Sequence, residues 1–424
     1  MSDMAAVYTT AVRYQADAVC ETPLRTGGAD GSVKNVLRDS RGNAFVQGSS
    51  LAGALRSWLE KAEGEELAER LFGSTAREGH LMVSDAVLRA DSRQTVRPRL
   101  RLDERRGTAD NRFSMAHMES GSRLSFTLTW LGNSRDTAEL AAVERMLGAL
   151  NRGELRLGAQ KSIGFGRLSL CVRKRRYELT KAEDRAAWLA DSDDGEELAL
   201  PGDAMTGQVT FAVEGYADPV LIKASARVYK GGQGCYVNLE EGGGPILPGS
   251  SVKGALRAQC MRIVRSAGVE APLMEELFGR KARRGDAGQA GMVRVDDVCV
   301  EQPQKQVVSR IRIDRFTGGV IRKGLFTEEP LSGKVCLNIS VQRERKAECA
   351  LLLYALRDLG LGLYGLGSGG SVGRGYIKVE RILIGVPGEK RAEVLFEGGA
   401  ITARDPDGLL DEWQSAWKEC LKWN

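Results

Sequence analysis

Apolar residues recur along this chain with two periods, and the two periods follow one another in the same order twice. Leu124, Phe126, Leu128 and Trp130 take every second position, as do Val335, Leu337 and Ile339, which predicts half-buried strands. Leu51, Leu55, Trp58 and Leu59 instead fall on one face of a helix, and so do Leu140, Val143, Leu147 and Leu150. Val252, Ala255 and Leu256, then Leu352, Leu356 and Leu359, give second copies of those helices. Strand-like stretches at 6–13 and 207–214 open the two halves, each leading into a long glycine-rich loop. Arg167 to Val172 and Tyr376 to Val379 close them as strands. Ser49 or Ser50, and Ser250 or Ser251, stand where a helix needs its N-cap. The order β, α, β, β, α, β predicts an α+β fold, a split βαβ or ferredoxin-like domain with an insertion before its third strand.

The halves also match residue by residue. Gly48-Ser49-Ser50-Leu51-Ala52-Gly53-Ala54-Leu55-Arg56 returns 201 residues later as Gly249-Ser250-Ser251-Val252-Lys253-Gly254-Ala255-Leu256-Arg257. Leu71-Phe72-Gly73 returns as Leu277-Phe278-Gly279, and Arg101-Leu102-Asp103 with Gly107 returns as Arg312-Ile313-Asp314 with Gly318. Ser162-Ile163-Gly164-Phe165-Gly166 returns as Ser371-Val372-Gly373-Arg374-Gly375. Landmarks that keep their order with such small drifts mark a tandem duplication of a unit of about 200 residues. The acidic run after Asp191 and the following Pro201-Gly202 read as a linker, giving a first domain at 1–190, a linker at 191–204 and a second domain at 205–424.

Composition narrows the class. With 424 residues, 42% hydrophobic and 28% charged, the chain is neither disordered nor a disulfide scaffold. Arg357 and Asp358 interrupt its most apolar run, and no basic segment leads into an apolar stretch at the N-terminus. The expectation is a soluble, cytoplasmic protein with no membrane partner. Its 8 cysteines include no CxxC and its 2 histidines, His80 and His117, have no repeat counterparts, so a zinc ribbon is excluded and both histidines read as structural or exposed. Net charge is only +5, but the cations cluster at Arg97 to Arg106, at Arg173-Lys174-Arg175-Arg176 and at Arg310 to Lys323.

Gly48-Ser49-Ser50 and Gly249-Ser250-Ser251 place a glycine and two hydroxyls at a helix N-terminus, where free N–H groups and the dipole attract a phosphate or simply need a cap. The glycine-rich turns Gly158 to Gly166 and Gly365 to Gly375 precede a strand, the wrong context for a dinucleotide fingerprint, but they let backbones approach closely and carry Lys161, Arg167 and Arg374. The segments Arg97 to Arg112 and Arg310 to Lys323 each contain alternating arginine and apolar residues, a central aspartate, then threonine and glycine, which suits an exposed hairpin or extended arm that can follow a phosphate backbone. With aromatic residues at 6%, recognition is expected to be mostly electrostatic, with Phe113 and Phe316 as exceptions.

The run Pro-Gly-Ser-Ser-Val-Lys-Gly-Ala-Leu-Arg, the Leu-Phe-Gly after it, Arg-Ile-Asp-Arg-Phe-Thr-Gly-Gly and the terminal Gly-Arg-Gly loop together resemble the RAMP superfamily of CRISPR-Cas systems, above all the backbone subunits of type III effector complexes. The tandem arrangement is similar to that of subtype III-D. The resemblance implies two RRM-like palms, each with a long β-hairpin thumb, stacked along a CRISPR RNA and interrupting its duplex with target RNA. It implies other RAMP subunits and a large polymerase/cyclase-like subunit as partners. Carried onto this sequence, Gly48, Ser49, Ser50 and Arg56, with Gly249, Ser250, Ser251, Lys253 and Arg257, would contact guide phosphates. Lys161, Arg167 and Arg374 in the glycine-rich loops would help, and Arg315 would belong to a thumb. Ala52 departs from the lysine that Lys253 retains, implying a weaker grip in the first unit.

Family members that cut target RNA place an aspartate in the loop before Gly-Ser-Ser and need a divalent metal, Mg²⁺ here. The register puts Val33 or Lys34 at that position, so Asp30 is the candidate catalytic acid after a small loop shift, while Asp39 reads as shaping a turn with Gly42. The second loop, 226–248, has no aspartate, and Glu240 and Glu241 read as a solvated turn. RNA binding is thus the firmer expectation, and the residues leave open whether either unit is an endoribonuclease. Competing readings are a stand-alone nuclease that processes the guide, a small-molecule enzyme using the glycine-rich turns for a nucleotide, and a protein scaffold presenting the stripe Leu410, Trp413, Trp417 and Leu421.

Overall fold

In the computed structural model the predicted alternating strands form two seven-stranded antiparallel sheets, one in each half. The structure describes all residues except 1–7, 28–34, 103–108, 134, 192–194, 203–207, 225–226, 231–232, 270–271, 281–287, 343, 387–389 and 423–424. The chain divides into two units, the first comprising 1–96, 114–161 and 165–205, the second 97–113, 162–164 and 206–424.

In the first unit the strand Thr10–Cys20 lies between Arg123–Gly132 and Leu168–Glu178, and Leu81–Val83 and Ala86–Leu88 pair beyond Arg123–Gly132. Tyr14 sits opposite Leu128 on one side and Lys174 on the other. Alternation then buries Val12, Tyr14 and Ala16 with Phe126, Leu128 and Trp130 on one face. The helices Gly48–Glu63 and Thr137–Asn151 contribute Leu51, Leu55 and Leu59, and Val143, Leu147 and Leu150, to the same core. Trp58, expected in that stripe, is only half-buried. The closing strand runs well past Val172, because its four consecutive cations are accommodated by neighbours. Lys174 pairs with Glu144 at 2.5 Å, and the Arg175 guanidinium stacks 4.8 Å from the Tyr177 ring centroid. The four cations alternate between the two faces of the sheet and are partnered on both.

The second unit repeats the order. Val209–Val220 lies between Leu331–Val341 and Tyr376–Gly385, with Val293–Val295 pairing beyond Leu331–Val341. Val252, Leu256, Cys260 and Val264 of the helix Gly249–Ser266 and Leu352, Leu356 and Leu359 of the helix Lys346–Gly360 cover the sheet. A hairpin, Arg391–Glu397 and Ala400–Arg404, extends the sheet, and the helix Leu409–Lys422 packs on Lys346–Gly360. Trp413 and Trp417 are 1% and 6% exposed, so the two tryptophans of the stripe that a scaffold would present are spent inside their own unit, while Leu421 stays 38% exposed. Among the described residues no helix is long and apolar enough to cross a membrane.

The glycine-rich turns fasten the end of each opening strand. Gly166 N–H donates to the Pro23 carbonyl at 2.9 Å and Gly375 N–H to the Pro219 carbonyl at 2.7 Å. Both glycines have left-handed φ, +83° and +87°, and a Cβ at either would collide with the backbone oxygen of Leu157 or Leu366. The close approach of backbones expected from the sequence is therefore made to the protein itself.

Candidate nucleic-acid interface

The two Gly-Ser-Ser segments do open helices, but neither serine caps one. The N-caps are Gln47 and Pro248, without a side-chain cap bond. The first N–H of each helix instead donates to a carboxylate: Gly48 to Asp85 Oδ1 and Gly249 to Asp297 Oδ1, both at 2.7 Å. An aspartate thus takes one of the helix N–H groups assigned to phosphate. Asp85 and Asp297 were not among the residues singled out, although Val83-Ser84-Asp85 and Val295-Asp296-Asp297 are a repeat landmark 212 residues apart. Ser49 and Ser50 are exposed, whereas Ser250 and Ser251 are half-buried.

Several cations assigned to phosphate are used internally. Arg56 binds Glu60 at 2.7 Å and the Gly73 carbonyl at 3.0 Å, tying together two of the repeat landmarks. Lys253 is 9% exposed and donates to the Val293 carbonyl at 2.7 Å and the Ser162 carbonyl at 3.3 Å. Arg374 is 4% exposed and binds Glu328 at 2.6 Å. Arg167 pairs with Glu21 at 2.6 Å on the surface, and Lys161 and Arg257 are half-buried. Arg97 lies buried against Glu241 and Asp297, and Glu241 is correspondingly buried rather than part of a solvated turn. Asp39 accepts from the N–H groups of Arg41 and Asn43 and shapes its turn, while Asp30 lies outside the described residues.

Burial has a measurable consequence at Lys253. Desolvation, with Arg257 and Arg294 nearby, lowers its pKa from 10.5 to about 8. Between pH 8 and 10.5 the unfolded chain then binds more protons than the folded one, so stability rises with pH across that window. The thermal midpoint of the protein will climb from pH 8 toward pH 10 relative to a Lys253→Met variant measured in parallel. Equal pH dependence in both proteins would rule out a buried amine.

Exposed cations do gather elsewhere, on a four-stranded sheet of the second unit built from Val228–Lys230, Gln233–Tyr236, Phe326–Glu328 and Val308–Arg310. The last two strands are antiparallel, with Ser309 opposite Thr327, and enclose an arm at 311–325. Asp314 organises the arm's tip, its Oδ1 accepting from the N–H groups of Phe316 and Thr317 at 2.9 Å. Those bonds to the ionised form hold its carboxyl below the usual carboxylate range. Arg312, Arg315, Arg322 and Lys323 are all exposed, and Arg315, Arg322 and Lys323 have no carboxylate partner among the described residues. Phe316 is 97% exposed and Tyr229, on the first strand of the same sheet, 78%. Lys223 and Arg227 stack 4.3 and 4.1 Å from the Tyr236 ring centroid. Few as the aromatic residues are, the fold concentrates them among cations here, a surface suited to phosphates and unpaired bases together. Tyr229 was missed because its cationic flanks, Arg227 and Lys230, sit in a glycine-rich segment read only as a loop.

The corresponding strands of the first half, Gln94–Leu102 and Ala109–Met118, also pair with each other. Phe113 is 39% exposed, and Arg105 and Arg106 lie outside the described residues. Among the described residues no group of three His, Cys, Asp or Glu side chains is placed to hold a metal ion, and Asp30 lies outside them.

A RAMP superfamily model matches residues 17–169 and 231–378, well over half of the sequence and once in each half. The chain belongs to the RAMP superfamily. No curated protein matches it. A solved structure, described as a cryo-EM structure of the type III-B Cmr-beta bound to cognate target RNA, is similar at 18% identity and a TM-score of 0.34. The match covers 40% of this chain and 62% of that one.

Proposed function

We propose that this protein is an RNA-binding backbone subunit of a type III RNA-guided antiviral effector complex, positioning a CRISPR RNA and its target. Family membership in both halves supports the reading, and the observation that carries it is the exposed arm with Arg312, Arg315, Arg322, Lys323 and Phe316 on one small sheet. The strand order last, first, third, second in both large sheets fits ferredoxin-like palms, the arm fits a thumb, and domains at 1–190 and 205–424 joined by 191–204 fit the duplication. Other RAMP subunits and a large polymerase/cyclase-like subunit are the partners this reading requires, and tandem fusion is the ground for subtype III-D. The exposed Ser49 and Ser50 are retained as guide contacts. Lys253 and Arg374 act by shaping the unit.

The test is to purify the full chain with its partners and sequence the RNA that accompanies it. Short RNAs with one constant end and variable remainders are expected, and random fragments would overturn the proposal. Replacing Arg312, Arg315 and Arg322 together with alanine will weaken binding of that RNA and make the dependence of log affinity on log salt shallower by about 2, each lost phosphate contact on a single strand removing about 0.7. An unchanged slope would show that the arm does not touch phosphate.

Asp30 is retained as the candidate acid for cutting target RNA. Asp30→Ala is expected to abolish a subset of cuts in a target-cleavage assay while guide retention stays the same. Survival of every cut would return Asp30 to an ordinary loop position.

A further inference from the structure

A buried glutamate stands third in a long helix of each unit, and the two units surround it differently. Thr137–Asn151 and Lys346–Gly360 are both 15 residues long, and their Glu139 and Glu348 are 4% and 7% exposed. In the first unit three polar groups converge on the carboxylate. Trp130 Nε1 donates to Oε2 at 2.9 Å, His80 Nδ1 lies 2.8 Å from the same oxygen, and Arg70 Nε lies 3.8 Å from Oε1. Glu139 thus meets the requirement that a buried carboxylate be paired.

The second unit keeps the backbone of this arrangement and none of those three groups. Met292 stands where His80 stands, since its N–H donates to the Glu276 carbonyl at 3.0 Å as the His80 N–H donates to the Arg70 carbonyl at 3.1 Å. Glu276 thereby takes the place of Arg70, as the landmark Leu277-Phe278-Gly279 that follows it also requires. Val341 takes the place of Trp130, lying opposite Val293 where Trp130 lies opposite Leu81. A guanidinium, an imidazole and an indole are exchanged for a carboxyl, a thioether and an aliphatic side chain. Glu276 Oε2 is shielded from water and, among the described residues, accepts no hydrogen bond, although Arg345 Nη2 lies 3.3 Å away.

We infer that Glu348 and Glu276 share one proton in the folded second unit, held on Glu348 and donated to Glu276, so that its loss to alkaline solvent loosens the short helix Pro272–Phe278 from the start of Lys346–Gly360. The other charged groups near Glu348 are engaged elsewhere among the described residues. Arg345 is turned to Glu276, Lys346 pairs with Glu412 at 2.9 Å, and Glu344 accepts from Trp413 Nε1 at 3.0 Å. Cys420 of the helix Leu409–Lys422 lies close enough to feel the Glu348 charge, with Glu419 beside it, and Cys349 adjoins Glu348 on its own helix. Burial first, and then the Glu276 charge, raises the Glu348 carboxyl above the usual glutamate range against the pull of its own N–H and of Arg345. A group raised in this way contributes stability that is fully present below its unfolded value of 4.5 and is lost as pH rises through the folded one. The proton then passes to solvent and leaves two carboxylates facing each other, which is the state the shared proton prevents.

Nothing in the pair depends on RNA, so RNA-free full-length protein is the sample. Glu348→Gln, which mimics the protonated acid, should match the wild type in thermal midpoint at pH 5 and exceed it by at least about 3 °C at pH 8. In a Glu276→Gln background the same substitution should give less than half of that pH-dependent gain. Carbon-13 NMR of protein labelled at the glutamate carboxyl carbon reads the proton directly. One resonance, absent from Glu348→Gln, should still shift with pH after the exposed glutamates have finished titrating. A midpoint difference that stays flat or falls from pH 5 to pH 8, an equal gain with and without Glu276, or glutamate resonances that all titrate together would overturn the inference. So would a rise in the wild-type midpoint on adding Mg²⁺ or Ca²⁺ that Glu348→Gln abolishes, since the pair would then hold a metal ion in place of the proton.

Discussion

Arg97→Ala will destabilise the second unit by about 3–5 kcal/mol, the range for removing one partner of a buried ion pair. Arg97 is 1% exposed, and its guanidinium donates to Glu241 at 2.6 and 2.8 Å and to Asp297 at 2.7 and 3.2 Å. These two carboxylates outweigh the cost of burying the guanidinium and hold it firmly protonated. Alanine would take the Arg97 guanidinium away from both carboxylates, and Asp297 also accepts the first N–H of the helix Gly249–Ser266. The helix start should therefore loosen along with the ion cluster. Chemical denaturation monitored by far-UV circular dichroism would measure the loss, and hydrogen exchange at Gly249 to Lys253 would report its spread. A change below about 1 kcal/mol would mean that the cluster is solvated in solution.

Glu328→Ala is expected to cost a similar amount for the opposite reason, since it strands cations. Glu328 is 4% exposed and gathers Arg374 at 2.6 Å, Lys223 at 3.1 Å and Arg310 at 3.8 Å, joining the glycine-rich turn to the base of the arm. Burial alone would raise its pKa, but the bonds from Lys223 and Arg374 outweigh that and hold it below the usual glutamate range. A carboxyl so depressed contributes stability that is present above its unfolded pKa and is lost as pH falls through the folded one. The wild type should accordingly lose stability on acidification faster than Glu328→Ala. The positions 211 and 209 residues earlier, His117 and Phe165, form a ring contact at 5.2 Å and suggest a rescue. The double variant Glu328→His, Arg374→Phe should recover more than half of the loss in a urea titration. No recovery would show that the neighbouring Lys223 and Arg310 require the carboxylate.

How far the sequence could be read differs between elements and site. Helices and strands were legible because burial on one face writes a period into the residues, and Leu51, Leu55 and Leu59 or Phe126, Leu128 and Trp130 carry it without ambiguity. The ends of strands were less so, since Arg173 to Arg176 look like a solvated run until Glu144 and Asp17 arrive from elsewhere in the chain. The site divided along the same line. Exposure of Arg315 and the arm followed from local alternation and a turn-forming aspartate. The fates of Lys253, Arg374 and Arg97 did not, because each depends on an acceptor tens to hundreds of residues away.

By itself the sequence determined that this protein is a duplicated α+β unit with helices opened by Gly-Ser-Ser, strands closed by glycine-rich turns and a cationic arm in its second half. Those properties are set by neighbours along the chain: period, turn residues and order. Only the tertiary structure decided which cations face outward. A guanidinium or ammonium is indifferent between a phosphate and a carboxylate, and the choice falls to whichever acceptor the fold brings within 3 Å while excluding water. Folding gave Glu328 to Arg374 and the Val293 carbonyl to Lys253, and left Arg315, Arg322 and Lys323 in solvent beside Phe316.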